Sequence, residues 1–236
     1  LYSADQKTQF NGSNGSDFWG GKIDLHVNDN NLIEFTVFSD SNSSESKSYQ
    51  YDPVTGERGN YINTGYTETG GINRAFTWTS YLTESLSAKF LYGGTNRQLN
   101  IYSPNDLDCN YISDTRVGTA GIKGCTSNLN VRFEDNSREA LRADFEWSLG
   151  AHLLRFGMDH ETNTSEVNRT YAGPGGVSYT ISTTKAGNVL ANGGVVPAGV
   201  TSMVASRNYA IGGEFETLNS AYYLEDTWSV TDTLVL

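Results

Sequence analysis

From Leu141 to Leu149 the chain alternates without a break: Leu141, Ala143, Phe145, Trp147 and Leu149 are apolar, while Arg142, Asp144, Glu146 and Ser148 between them are polar. Side chains of an extended strand point to opposite faces with a period of two, so this run has one apolar and one charged face. After Gly150 and Ala151 the pattern resumes, with Leu154, Phe156 and Met158 on one side and Arg155, Gly157, Asp159 and Glu161 on the other. Two such runs joined by a tight, glycine-containing turn read as a β-hairpin.

The same grammar recurs. Ile23, Leu25 and Val27 alternate with Asp24 and His26, a turn follows at Asn28-Asp29-Asn30-Asn31, and Ile33, Phe35 and Val37 alternate with Glu34 and Thr36, which predicts a hairpin over about residues 17 to 40. A third hairpin joins Phe76, Trp78, Ser80 and Leu82 to Ala88, Phe90 and Tyr92 through Thr83-Glu84-Ser85. A fourth begins with a strand from Tyr209 to Ser229, turns at Val230 to Thr233 and reaches the start of another strand at Leu234-Val235-Leu236. The expected total is seven strands and the start of an eighth.

Between these hairpins lie long stretches, about residues 41 to 66, 100 to 130 and 164 to 208, dominated by Gly, Ser, Thr, Asn, Asp and small apolar residues. They are expected to be structureless loops, so short and long connections alternate strictly. Soluble domains seldom carry several such loops, and their strands average only five or six residues. A transmembrane β-barrel needs both features, because a tilted strand takes roughly 9 to 11 residues to cross the bilayer, with short turns at one rim and long loops at the other. Phe18, Trp19, Tyr81, Tyr92, Trp147, Tyr222, Tyr223 and Trp228 fall near expected strand ends, where barrels wear interfacial aromatic girdles. The alternative is that they fill the core of a soluble β-sandwich.

Composition supports strands and polar loops. The 236 residues include 25 Gly and only 4 Pro, aromatics make up 12%, and the hydrophobic share of 37% would supply an ordinary core poorly. A net charge of −11 without any basic run argues against a nucleic-acid partner. No stretch approaches 18 consecutive apolar residues, so no transmembrane helix is expected, and the N-terminus lacks signal-peptide character, as in a processed chain or a fragment.

The two cysteines, Cys109 and Cys125, lie in one polar stretch. A disulfide in an oxidising compartment is the favoured reading, free thiols the alternative, and zinc a weaker one, because neither cysteine has a second Cys or His at ligand spacing. Asp106, Asp108 and Asn110 offer the alternating oxygens of a calcium loop, with Asp114 nearby, but Tyr111 and Val117 stand where an EF-hand needs Gly and Glu. A solvated acidic loop is the plainer reading. Asp159-His160-Glu161 places His160 opposite its neighbours on a strand. No nucleophile elbow or phosphate loop is present, so neither a catalytic centre nor a cofactor is expected. Asn-x-Ser/Thr triplets beginning at Asn11, Asn14, Asn42, Asn163 and Asn168 are expected in hydrophilic surface loops.

Two segments resemble the barrel domains of TonB-dependent receptors, the Oar-like branch among them. Tyr222-Tyr223-Leu224-Glu225-Asp226-Thr227-Trp228 resembles the family's Tyr-x-x-(Gln/Glu)-Asp-x-Trp strand, followed by its periplasmic turn at Ser229 to Thr233. Gly150 to Asp159 resembles the Gly-x-His-x-x-(Lys/Arg)-Phe-Gly-x-(Asp/Glu) hairpin that commonly precedes it. The resemblance implies an all-β antiparallel transmembrane barrel in the outer membrane of a Gram-negative bacterium, of about 22 strands, plugged by an N-terminal domain that TonB moves. Residues 1–236 then form a partial barrel domain without the plug and TonB box, so further strands must complete the wall. Leu141, Phe145, Trp147, Phe156 and Met158 would face lipid, and Arg142, Asp144, Glu146, Arg155 and Asp159 the lumen. The implied partners are outer-membrane lipid and lipopolysaccharide, the rest of the barrel and its plug, TonB through that plug, and a transported substrate. The competing functions are a soluble extracellular binding module and an adhesive barrel that displays its loops.

Overall fold

A computed structural model of the chain describes residues 2–3, 8–16, 18–52 and 54–236, with side chains from residue 12 onward. Asp17, at the edge of the expected first hairpin, and the side chain of Asn11 lie outside the described residues. The strands in chain order are β1 (Tyr2–Ser3), β2 (Thr8–Ser16), β3 (Trp19–Asn28), β4 (Asn31–Ser39), β5 (Asn42–Tyr51), β6 (Arg58–Tyr81), β7 (Leu86–Tyr102), β8 (Ile112–Asp114), β9 (Gly121–Ile122), β10 (Asn130–Leu149), β11 (His152–Tyr171), β12 (Val177–Thr183), β13 (Ser202–Asn208), β14 (Ala210–Thr231) and β15 (Leu234–Val235). Among the described residues the only helical element is a single 3-10 turn at Pro174–Gly176.

Eleven strands form one antiparallel meander in the order β1-β2-β5-β6-β7-β10-β11-β14-β15, with β4 also on β6 and β3 on β4. β4 and β5 lie end to end along the 24-residue β6, β4 opposite residues 72–80 and β5 opposite 58–69. The break falls at Asp40-Ser41, facing Gly70-Gly71. Gly70 has φ +83°, and a Cβ there would sit 2.2 Å from the Asp40 carbonyl oxygen, so this bulge requires glycine. β2 and β3 break in step. Counted as continuous paths, the long strands are seven plus the start of an eighth, as the periodicity predicts, and β1 adds a short edge. The sheet is open among the described residues.

Short turns share one rim: residues 29–30, 82–85, 150–151 and 232–233. Each has a local cause. Asn28 Oδ1 accepts the Asn30 amide and the Asn31 side-chain amide, Thr83 Oγ1 accepts the Leu86 amide, and Gly150 adopts φ +61°.

At the other rim the expected structureless loops are corrected. Residues 41 to 66 are mostly β5 and the start of β6, which follow each other closely, and β11 runs on to Tyr171. The two remaining connections, 103–129 and 172–209, contribute β8, β9, β12 and β13 to a four-stranded sheet in the order β13-β12-β8-β9, in which β8 and β12 are parallel. The triplets assigned to loops are corrected too: Asn11 and Asn14 stand in β2, Asn42 in β5, and Asn163 and Asn168 in β11.

The interior is unusual in composition. The largest fully buried side chains are Asn63, Thr126, Asp114 and Ser48, all polar, while large apolar residues such as Ile23, Leu141 and Leu224 stay exposed. Among the described residues no second layer covers the apolar face of the main sheet. A soluble β-sandwich would bury that face against a partner sheet.

Candidate functional site

Cross-strand register fixes which side chains share a face. Leu141, Phe145 and Trp147 lie opposite His160, Phe156 and Leu154, and Met158 lies opposite Ala143. On the far side of β10 the same face continues through Tyr92, Phe90, Ala88 and Leu86 to Phe76 and Trp78, then to Phe35 and Ile33. Trp78, Phe90, Phe145 and Phe156 form a continuous aromatic row with centroid spacings of 5.4, 5.7 and 5.1 Å. This apolar belt begins at the short-turn rim and ends near Leu141, Tyr92 and His160. Beyond it the same face carries Glu139, Ser137 and Asp135 on β10 and Thr162, Thr164 and Glu166 on β11. Nine or ten residues at about 3.4 Å each, tilted by roughly 40°, give a belt of about 25 Å, the height of a bilayer's apolar layer.

The aromatic expectation changes accordingly. Tyr81, Trp147 and Trp228 sit at the short-turn rim, but Tyr92, Tyr222 and Tyr223 lie well inside β7 and β14, and Phe18 lies between β2 and β3. Tyr92 marks the far border of the belt rather than a strand end. The strands continue past it.

The opposite face is polar. Arg142 lies opposite Asp159, Asp144 opposite Gly157, and Glu146 opposite Arg155. Arg142 Nε donates to Asp144 at 2.8 and 3.0 Å, and Arg155 pairs with Glu146 at 2.8 Å and Glu225 at 3.5 Å. Lys22 bridges Asp24 and Glu34, and Arg138 pairs with Glu161. On β7, β10 and β11 alone this face holds Lys89, Arg97, Arg132, Arg138, Arg142, Arg155 and Arg169 against Glu134, Asp144, Glu146, Asp159 and Glu161. A chain with a net charge of −11 therefore has a slight cationic excess at the centre of its polar face.

The two segments that carried the receptor resemblance are each other's partners. β11 and β14 pair so that His152 faces Trp228 and Gly157 faces Tyr223. The His152 ring stacks on Trp228 at 5.3 Å, and its Nδ1 lies 2.8 Å from Asp226. On the polar face the Tyr223 ring lies over Gly157, where a Cβ would sit 2.7 Å from the ring, and its hydroxyl donates to Asp144 at 2.6 Å. The Gly, His and Arg of one motif and the Tyr, Glu, Asp and Trp of the other are thus bound by one register.

At the long-connection rim, residues 103–129 fold over the polar face. Asn63 donates to Ser103 at 3.1 Å and Thr126 at 3.3 Å and accepts from Ser127, which also bonds Ser48. Cys109 and Cys125 are joined by a disulfide. Asp106 is buried, accepting from the Ser103 amide, Thr126 and Asn128, and burial still lifts its carboxyl above the usual range. Asp108 bears no such role, and the Asn110 amide turns away to donate to the Pro174 and Val177 carbonyls. The calcium-like trio is therefore not brought together as a ligand set. The Asp114 carboxylate accepts two hydrogen bonds from the Arg116 guanidinium and one from the Arg116 amide, which hold it far below the usual range, and Arg116 reaches Ser202 of the other connection at 3.2 Å. His160 faces away from Asp159 and Glu161, as alternation requires, and bonds Ser220.

Sequence reasoning missed the outer half of the polar face. Arg132 and Arg169 are direct cross-strand partners, and both bond Glu134. The local signal was present, since Val131 and Phe133 alternate with Arg132 and Glu134, but the pairing of residues 132 and 169 depends on register.

Neither a curated protein nor a solved structure matches the chain. A family model described as outer membrane beta barrel domain matches residues 3–236. With its uncovered apolar belt, charged opposite face and alternating short and long connections, the chain belongs to the outer membrane beta barrel domain family and resides in the outer membrane of a Gram-negative bacterium.

Proposed function

We propose that this chain is wall of a TonB-dependent receptor that takes up a substrate across the outer membrane, without a reaction of its own. The observation that carries this reading is the interlock of the two motif segments: His152 with Asp226 and Trp228, and Gly157 beneath Tyr223. These residues have no catalytic arrangement. They lock a strand pair beside the short-turn rim, which on this reading is periplasmic and lies where a plug would meet TonB.

In this reading Leu141, Phe145, Trp147, Phe156 and Met158 face lipid and lipopolysaccharide, and Arg142, Asp144, Glu146, Arg155 and Asp159 line the lumen. Further strands, to a total of about 22, would satisfy the open edges of the sheet, since an unpaired edge amide in lipid costs several kcal/mol. The connections 103–129 and 172–209 then stand on the outside, folded over the mouth of the lumen.

The test is made in the native host. The polypeptide is expected to be several times larger than the 25.8 kDa of this chain and to cross-link to TonB in living cells. A native protein of that smaller mass that never cross-links to TonB would rule the reading out.

A further inference from the structure

We infer that the outer end of the polar face holds an oxyanion site built on Arg132 and Arg169, one that takes a carboxylate or phosphate group of the incoming substrate. Like charges directly opposite on neighbouring strands destabilise a sheet, yet Arg132 and Arg169 are such a pair. Glu134, two residues along β10, offsets one of them: it accepts from Arg132 Nη2 at 2.5 Å and from Arg169 Nε and Nη2 at 2.8 and 2.6 Å. Glu134 is only 9% exposed and its oxygens are engaged, so one positive charge of the trio is left over.

That charge opens onto a cavity. A hollow of about 380 Å³ is lined by both arginines, by Ser127 and Asn128 of one connection, by Asn130 at the start of β10, and by Tyr209 of the other connection. Arg132 Nε is buried without a hydrogen-bond partner, a donor normally satisfied in a folded protein. Guanidinium groups bind carboxylate and phosphate through paired N–H donors, and an oxyanion here would neutralise the excess charge. The hollow lies nine residues beyond Leu141 on β10, at the long-connection rim.

That the anion belongs to a transported substrate rests on the uptake reading; the site itself does not. Full-length protein in detergent is titrated with sodium pyrophosphate and with sodium succinate by calorimetry. Saturable binding of either probe is expected, with the tighter one naming the phosphate or carboxylate class. Arg132→Gln and Arg169→Gln should each weaken it about tenfold or more, and Arg169→Lys less. Glu134→Gln should tighten binding severalfold and enlarge the rise in Tm that the probe produces, an effect a merely structural Glu134 would not give. No saturable binding, binding undiminished in both Arg132→Gln and Arg169→Gln, or weaker binding in Glu134→Gln would overturn the site. Because the titration needs neither membrane nor TonB, its failure leaves the uptake reading standing, and failure to cross-link to TonB leaves the site standing.

Discussion

Gly157 shows how much can depend on one missing side chain. Its Cβ would lie 2.4 Å from the Ala143 carbonyl oxygen and 2.7 Å from the Tyr223 ring. Gly157→Ala must therefore push Tyr223 off Asp144, and we expect a loss of about 1–3 kcal/mol in urea unfolding from detergent. Tyr223→Phe, which removes only the hydrogen bond, should cost about 1 kcal/mol. Asp106 and Asp114 carry opposite pH signatures. Asp106 has a raised folded value, so its contribution is fully present below the ordinary carboxylate range of about 4 and is lost as pH rises through that folded value. Asp114 has a lowered one, so its contribution holds above that range and is lost only as pH falls below it. Protection of the Gly173 amide, which donates to the Asp106 carbonyl, should thus decline as pH rises from about 4 through the raised folded value, after correction for intrinsic exchange. Asp106→Asn should flatten that decline; a decline unchanged in the variant would place its origin elsewhere.

At the scale of the strand, legibility follows solvent. From Leu141 to Leu149, where one face of the strand is apolar and the other charged, period two is clear in the sequence. Beyond the belt both faces meet water, selection for alternation lapses, and Asn42–Tyr51, NSSESKSYQY, reads as a loop although it is a ten-residue strand. The same loss hid residues 164–171, the outer end of β11. The Arg132-Glu134-Arg169 trio was illegible for a different reason, since it depends on pairing two strands whose partners stand 37 positions apart. The belt itself is testable. Phe145→Arg should cost about 2–4 kcal/mol in a lipid bilayer, whereas Ser137→Arg on the same face of the same strand should cost about 0–1. Equal costs measured by urea unfolding in liposomes would show that the belt does not lie in lipid.

At the scale of the molecule, the division of labour follows from one sheet with two unlike faces. Among the described residues no protein layer covers the apolar belt, so stability there depends on the surrounding membrane and on long ladders of antiparallel hydrogen bonds. The largest fully buried side chains lie at the long-connection rim, where a disulfide and the Asp114–Arg116 pair brace one connection, Arg116 reaches Ser202 of the other, and the Asn63 cluster ties the first to the polar face. That rim was the least legible part of the chain, because its fold comes from contacts between segments far apart in sequence. The most direct test labels residues 141 to 149 one at a time with a nitroxide in the membrane-embedded native protein and compares accessibility to oxygen, which partitions into lipid, with that to a water-soluble nickel chelate. Oxygen should dominate at 141, 143, 145, 147 and 149 and the chelate at 142, 144, 146 and 148; uniform accessibility, or the reverse alternation, would contradict a wall with lipid on one face and water on the other.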